Sequence, residues 1–181
     1  EFSEAALEQA ESLATRGIRP SDLLNRLDLR SELIFTIDSA DSKDLDDAVS
    51  LIKLGDSYQL GVHIADVSRY VTKGSPLDEE AFSRGTSLYY ANRVVPMLPE
   101  ALSNGICSLN PKEDRLAFSA LLTVSADGKL IDFDFQKSVI CSRVKGVYSE
   151  INQILAQTAP PDIIEKYTEL TDTLFQMEQL A

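Results

Sequence analysis

Between Thr36 and Val49 the chain reads TIDSADSKDLDDAV, and Asp38, Asp41, Asp44, Asp46 and Asp47 fall within ten positions of it. Lys43 is the one basic residue among them. Two like charges 4 Å apart repel by about 1 kcal/mol in water and about 4 kcal/mol at an effective dielectric of 20. Carboxylates crowded this closely would strain the fold unless a cation bridged them. Hard divalent cations prefer oxygen ligands, and Mg²⁺ takes a few carboxylates while keeping positions for water and substrate phosphate. With no histidine or cysteine nearby, the donor set points to Mg²⁺ or Mn²⁺ and away from zinc. The chemistry on offer is metal-assisted hydrolysis.

Two plainer readings stand beside this one. The run is also what a solvated acidic loop looks like. A calcium loop is a third reading, although the glycine after the third acidic position and the terminal glutamate of an EF-hand are both missing.

A strand has to deliver these aspartates. LIFTI, from Leu33 to Ile37, is a compact apolar, β-branched run that predicts a buried strand ending where the acidic loop begins. Ala48 to Leu54 and Tyr58 to Val67, separated by Gly55, Asp56 and Ser57, predict a hairpin on the far side. The period of two would put Asp47 on the face of Val49 and Leu51 and Asp46 on the other. The adjacent pair can therefore converge only at an irregular strand start.

Elsewhere, Ser3 to Thr15 predicts a surface helix, with Ala6, Leu7, Ala10 and Leu13 on one stripe, Ser3 as N-cap and Gly17 past the end. Pro20 opens a short amphipathic segment from Ser21 to Leu27. Pro76 to about Tyr90 predicts a helix, followed by a proline-punctuated loop, RVVPMLPEALSNGICSLNP. Leu116 to Val124 and Leu130 to Ile140 predict a second hairpin across Ser125–Lys129. Helical patterns run from Tyr148 to Gln157 and from Pro161 to the end. The expected class is α+β (mixed α/β), antiparallel hairpins packed with helices, with 1–30 as a helical lead-in to a single unit over 31–181. Leu170, Leu174, Met177 and Leu180 on the last helix are expected to need a covering partner, the mark of a fragment.

The length of 181 residues and 44% hydrophobic content allow a substantial core in a soluble protein. No apolar run reaches the roughly 18 residues that span a bilayer, and EFSEAALEQAESL lacks the basic start of a signal peptide. Cytoplasm is the expected compartment, without membrane association. Cys107 and Cys141 lie far apart with no CxxC, so both are expected as reduced core residues. Seventeen basic against 29 acidic residues give a net charge of −12, which opposes a polyanionic partner unless cations or further basic modules compensate. His63, alternating with Val62 and Ile64, is expected to be structural. Asp66 is expected to cap a turn through Ser68, and Arg115 to reach a phosphate or pair with Asp114.

TIDSADSKDLDDAV closely resembles the signature of the RNB exoribonucleases, the ribonuclease II and ribonuclease R family. LGVHIADVSRYVTKGSPLDEEAFSRGTSLYY, VVPMLPEALSNGICSLNP, DRLAFS and YSEINQIL resemble successive blocks of that family, covering Phe2 to about Leu155. The resemblance implies an RNB-type catalytic domain fragment. It implies 3′ to 5′ hydrolysis of single-stranded RNA to nucleoside 5′-monophosphates by two-metal-ion catalysis, with metal on Asp38, Asp44, Asp46 and Asp47. Asp46 and Asp47 are the expected catalytic pair, Asp46 the more sensitive, and Asp41 has no ligand role. Tyr89 matches a tyrosine that packs on the 3′-terminal nucleotide, and Tyr148 one near the ribose. The resemblance further implies flanking cold-shock and S1 modules, and arginines and a glutamate beyond this segment that hold the scissile phosphate. This chain alone is therefore expected to bind divalent metal and to degrade RNA weakly or not at all. A non-catalytic RNA-binding module and a metal-dependent DNA exonuclease are the rival expectations.

Overall fold

The computed structural model describes residues 1–90 and 93–181. Helix α1, Glu4–Arg16, begins where Ser3 Oγ accepts the Ala6 amide and stops at Gly17, whose φ of 63° no side chain would favour. Its small residues face inward: Ala6 and Ala10 are fully buried against Leu77, Leu102 and Tyr70. The helix is thus docked through a narrow alanine stripe, while Leu7 on its flank stays exposed.

A short 3₁₀ turn, Pro20–Leu23, leads into β1, Leu27–Asp28. The expected Leu33–Ile37 strand is shorter and shifted. Phe35 bridges to Val49, and only Thr36–Asp38 forms strand β2, paired parallel to β9, Lys145–Val147. The segment divides its hydrogen bonds between two partners, which is why it does not run on as one strand. The first hairpin is as expected: β3, Asp47–Leu54, and β4, Ser57–Ala65, turn at Gly55 and Asp56, with Gly55 at φ 60°.

Helix α2 spans Pro76–Arg84, not Pro76–Tyr90. Gly85 adopts φ 74° and closes it with a left-handed cap, leaving Leu88–Tyr90 to form β5 against β6, Arg93–Val95. The proline-rich loop therefore begins with a strand, and it also contains a helical turn at Ala101–Ile106. Strands β7, Asp114–Ser125, and β8, Leu130–Cys141, make the second hairpin. The five-stranded sheet runs β1-β8-β7-β4-β3, antiparallel except where β1 joins β8.

Helix α3, Tyr148–Leu155, follows β9 directly. The predicted terminal helix is two: α4, Pro161–Lys166, and α5, Thr171–Leu180. The break lies at Tyr167, which is fully buried and whose hydroxyl accepts the Val147 amide at 3.0 Å and donates to Glu150. Leu170 and Leu174 already have their covering partner. They are buried with Phe35, Ile151 and Ile154, and Met177 packs at the edge of that cluster. A second cluster, Leu29, Ile34, Leu45, Ala48, Ala65, Leu109, Ala117 and Ile140, lies beneath the acidic loop. No helix among the described residues is long and apolar enough to cross a membrane.

Candidate metal and RNA site

The acidic loop is pinned at its middle by one apolar side chain. Leu45 is 1% exposed and packs into the cluster beneath the loop, so its neighbours on either side turn outward. Asp46 and Asp47 are exposed, and Asp38 and Asp44 are half-buried. Asp38 ends β2 and Asp47 begins β3, which leaves Asp46 in open chain at the irregular strand start that adjacent carboxylates need.

Distant residues fix the loop backbone. Ser108 Oγ donates to the Lys43 carbonyl at 2.7 Å and accepts the Leu45 amide at 3.0 Å. The Leu45 carbonyl accepts the Leu109 amide at 2.9 Å, and the Asp46 carbonyl accepts Ala65 at 3.0 Å. Lys145 Nζ donates to the carbonyls of Ala40, at 2.8 Å, and Ser42, at 2.6 Å. Neither Ser108 nor Lys145 was visible as a site residue in the sequence. Both sit far along the chain from the loop, and no local pattern marks them.

The electrostatics are those of an uncompensated cluster. Partial desolvation, then the charges of Asp44, Asp47 and Asp38, push the Asp46 carboxyl above its ordinary value. Burial, with Asp47 and Asp44 behind it, does the same to Asp38 against the pull of the Thr36 hydroxyl and of Lys145. Asp38 Oδ2 is buried without a hydrogen-bond partner. Such an orphaned anionic oxygen costs free energy that a cation would recover. The donor set therefore fits a hard divalent ion. Among the described residues, however, no three acidic, histidine or cysteine side chains converge closely enough to cage one. Mg²⁺ is compatible with that openness, since it is commonly held by one or two carboxylates plus water and substrate phosphates.

Tyr89, on β5, is 66% exposed, and its hydroxyl donates to Asp44 Oδ2 at 2.8 Å. That bond, then burial, raises the phenol's pKa. A cleft of about 430 Å³ opens beside it, lined by Ser39, Asp41, Lys43, Asp44, Tyr89 and Glu100 among others. Asp41 thus faces the cleft, whereas Asp38, Asp46 and Asp47 do not line it. Tyr148 is exposed at the start of α3, immediately after Val147, the strand partner of Asp38. The structure therefore brings the four aspartates and Tyr89 to one region and places Tyr148 next to the strand that carries Asp38.

The residues kept out of the site are accounted for elsewhere. His63 is fully buried between Ser50 Oγ, at 3.1 Å, and Ser119 Oγ, at 2.7 Å. Asp66 accepts Ser68 at 2.8 Å and pairs with Arg26 at 2.5 Å. Arg115 does not pair with the Asp114 side chain, which Arg30 takes at 2.8 Å. Its guanidinium is buried, ion-paired with Glu113, and donates to the carbonyls of Ser108, at 2.7 Å, and Gly105. It holds the turn that holds Ser108. Cys107 is buried, its thiol pushed up to about 12, and Cys141 is half-buried; both are free.

The fold thus sets an open acidic loop between a parallel strand pair and an antiparallel hairpin, with an exposed tyrosine against it. The RNB domain model matches residues 26–181, and the chain belongs to the RNB family. It is 46% identical to ribonuclease R 1 of Lactococcus lactis over 99% of this chain and 22% of that protein. To ribonuclease R of Thermotoga maritima it is 44% identical over 100% of this chain and 25% of that protein. The chain thus spans about a quarter of the length of these relatives. Among solved structures, Mycoplasma genitalium RNase R in complex with ribose-methylated single-stranded RNA superimposes with a TM-score of 0.84 at 28% identity, over 98% of this chain and 29% of that one. Yeast Ssd1, a pseudonuclease, shares the fold at a TM-score of 0.70 and 19% identity, over 84% of this chain and 19% of that one.

Proposed function

We propose that this chain is the metal-binding part of a 3′-to-5′ exoribonuclease catalytic domain that hydrolyses single-stranded RNA to nucleoside 5′-monophosphates. The observation that carries the reading is the Asp38–Asp47 loop, with its mutually repelling carboxylates and the orphaned Asp38 Oδ2. Asp38, Asp44, Asp46 and Asp47 hold Mg²⁺ or Mn²⁺, with Asp46 and Asp47 nearest the reaction. When bound, a pair of such ions supplies an activated water and charge stabilisation for the leaving 3′ oxygen. Tyr89 offers its ring to the 3′-terminal base, and Tyr148 lies near the ribose, whose 2′ hydroxyl separates RNA from DNA.

Residues 1–30 act as a lead-in that buttresses the unit over 31–181. The working protein is cytoplasmic, with basic cold-shock and S1 modules flanking the domain. A net charge of −12 makes such modules necessary for tight RNA binding. Because the relatives are about four times longer, this chain by itself binds divalent metal and degrades RNA weakly or not at all, its stabilisation of transition-state charge being incomplete.

The test compares end-labelled RNA and DNA oligomers of one sequence, with this chain and with the full-length protein. RNA-selective release of mononucleotides from the 3′ end, dependent on Mg²⁺ and abolished by Asp46→Asn, is expected of the full-length protein. Equal digestion of DNA would favour a DNA exonuclease. That no three carboxylates converge on one point among the described residues favours a second reading, a non-catalytic RNA-binding module. It predicts RNA binding with no metal-dependent cleavage by the full-length protein.

A further inference from the structure

We propose that Lys145 is a positioning residue that shapes the acidic loop for a divalent cation by gripping its main chain, leaving the carboxylates free. The inference rests on the metal reading above. Lys145 stands on β9 directly beside Thr36 of β2, two residues before Asp38. From there its ammonium reaches under the Ser39–Ser42 turn, which the Ser42 amide closes on the Ser39 carbonyl at 3.2 Å. It then donates to Ala40 at 2.8 Å and Ser42 at 2.6 Å.

Among the described residues Lys145 pairs with no carboxylate, although five aspartates lie along the segment from Asp38 to Asp47 that contains the turn it holds. A lysine that bonded Asp38 or Asp44 directly would occupy the oxygens a cation needs. Bonded to carbonyls, it relieves part of the carboxylate repulsion and fixes the path from Asp38 to Asp44 without consuming a ligand. Ser108 holds the next stretch of loop at Lys43 and Leu45, so the two residues clamp consecutive segments.

Geometry and charge make opposite predictions for the loss of this residue. As a nearby positive charge alone, Lys145 would oppose cation binding, and its removal would tighten the site. As a clamp, its removal loosens the loop and weakens the site, by about the tenfold that outer partners of metal ligands typically contribute. The experiment titrates Mn²⁺ into the 181-residue chain and its Lys145→Met and Lys145→Arg variants, with amide hydrogen exchange followed across residues 39–45. Expected are about tenfold weaker Mn²⁺ binding and faster exchange in Lys145→Met, with both largely restored in Lys145→Arg, which can donate to the same two carbonyls. Unchanged or tighter Mn²⁺ binding by folded Lys145→Met overturns the proposal, as does unchanged exchange. Absence of Mn²⁺ binding by the unmodified chain would instead overturn the metal reading, and the exchange data would then decide whether the clamp exists.

Discussion

His63 makes the fold acid-labile in a way that can be isolated by one substitution. Its ring is fully buried on the sheet face beneath the acidic loop, opposite Ala48, the residue after Asp47. Nε2 meets Ser50 Oγ at 3.1 Å, Nδ1 meets Ser119 Oγ at 2.7 Å, and Ser119 Oγ continues to Ser138 Oγ at 2.6 Å. No carboxylate is in this chain of bonds, so nothing compensates a charge on the ring. Burial accordingly pushes His63 down from 6.5 to about 4. Because the folded value is depressed, the unfolded chain binds the proton more readily. The stability associated with neutral His63 is complete above about pH 6.5 and declines as pH falls towards 4. The whole window is worth roughly 3 kcal/mol, and about 2 kcal/mol of it is already lost at pH 5. For a chain of this size that is about 4–8 °C in melting temperature.

The assay is urea or thermal unfolding at pH 7.5 and pH 5.0, in chelator, for the unmodified chain and for His63→Gln. Glutamine cannot satisfy both serines, so the variant is weaker at either pH, and the quantity read is the change between the two. Asp38, Asp46 and Glu32, whose carboxyls are raised, gain stability on acidification in both proteins and cancel in the difference. His63→Gln should lose about 2 kcal/mol less than the unmodified chain between the two pH values. An identical loss would refute a buried neutral histidine. Gly61 shows how tightly the network is built: a Cβ there would lie 2.3 Å from Ser50 Oγ and 2.7 Å from His63 Nε2.

Asp46→Asn should raise the melting temperature of the metal-free chain by about 2–4 °C at pH 7, relief of about 1 kcal/mol of repulsion, and should remove most of the stabilisation that added Mn²⁺ gives; an unchanged response to Mn²⁺ in scanning fluorimetry would count against the ligand assignment. Gly146→Ala should destabilise by about 1–3 kcal/mol and weaken Mn²⁺ binding, because its Cβ would sit 2.5 Å from the Thr36 carbonyl and force β9 from β2, the strand that carries Asp38. Tyr89→Phe should retain RNA affinity in the full-length protein while Tyr89→Ala loses about 10–100-fold, the worth of one stacked base, as read by fluorescence anisotropy in a non-hydrolysing ion; equal losses would assign the effect to the hydroxyl and its bond to Asp44.

The parts of this fold that were legible in the sequence are those whose partners are close in the chain. Both long hairpins follow from alternation around Gly55 and Gly128, and α1 from a cap at each end. Two misjudged elements depend on partners that periodicity does not reveal. Leu88–Tyr90 forms a strand because Arg93–Val95 lies opposite, and Thr36–Asp38 is cut short because β9 arrives from more than a hundred residues away. The site divides the same way. Five aspartates announce themselves by crowding, and only the family resemblance singles out four of them and adds Tyr89. Lys145, Ser108 and Arg115, which fix the loop's shape, act on main-chain carbonyls, which carry no residue identity for a sequence to display.

That division of labour explains why the carboxylates stand open. Side chains holding the loop act on its backbone and on Leu45, so the shape of the loop is set without any aspartate being neutralised. On the proposed function, the repulsion among Asp38, Asp44, Asp46 and Asp47 is what a bound cation would relieve. A closed cage would satisfy the ion and leave no position for water or a phosphate oxygen, whereas a site with the function proposed above would complete its coordination with substrate. The same logic bears on the net charge of −12. On the proposed function, an RNA phosphate approaching this loop would meet five carboxylates against Lys43 and Lys145, so metal binding and substrate binding would be coupled on this part of the domain.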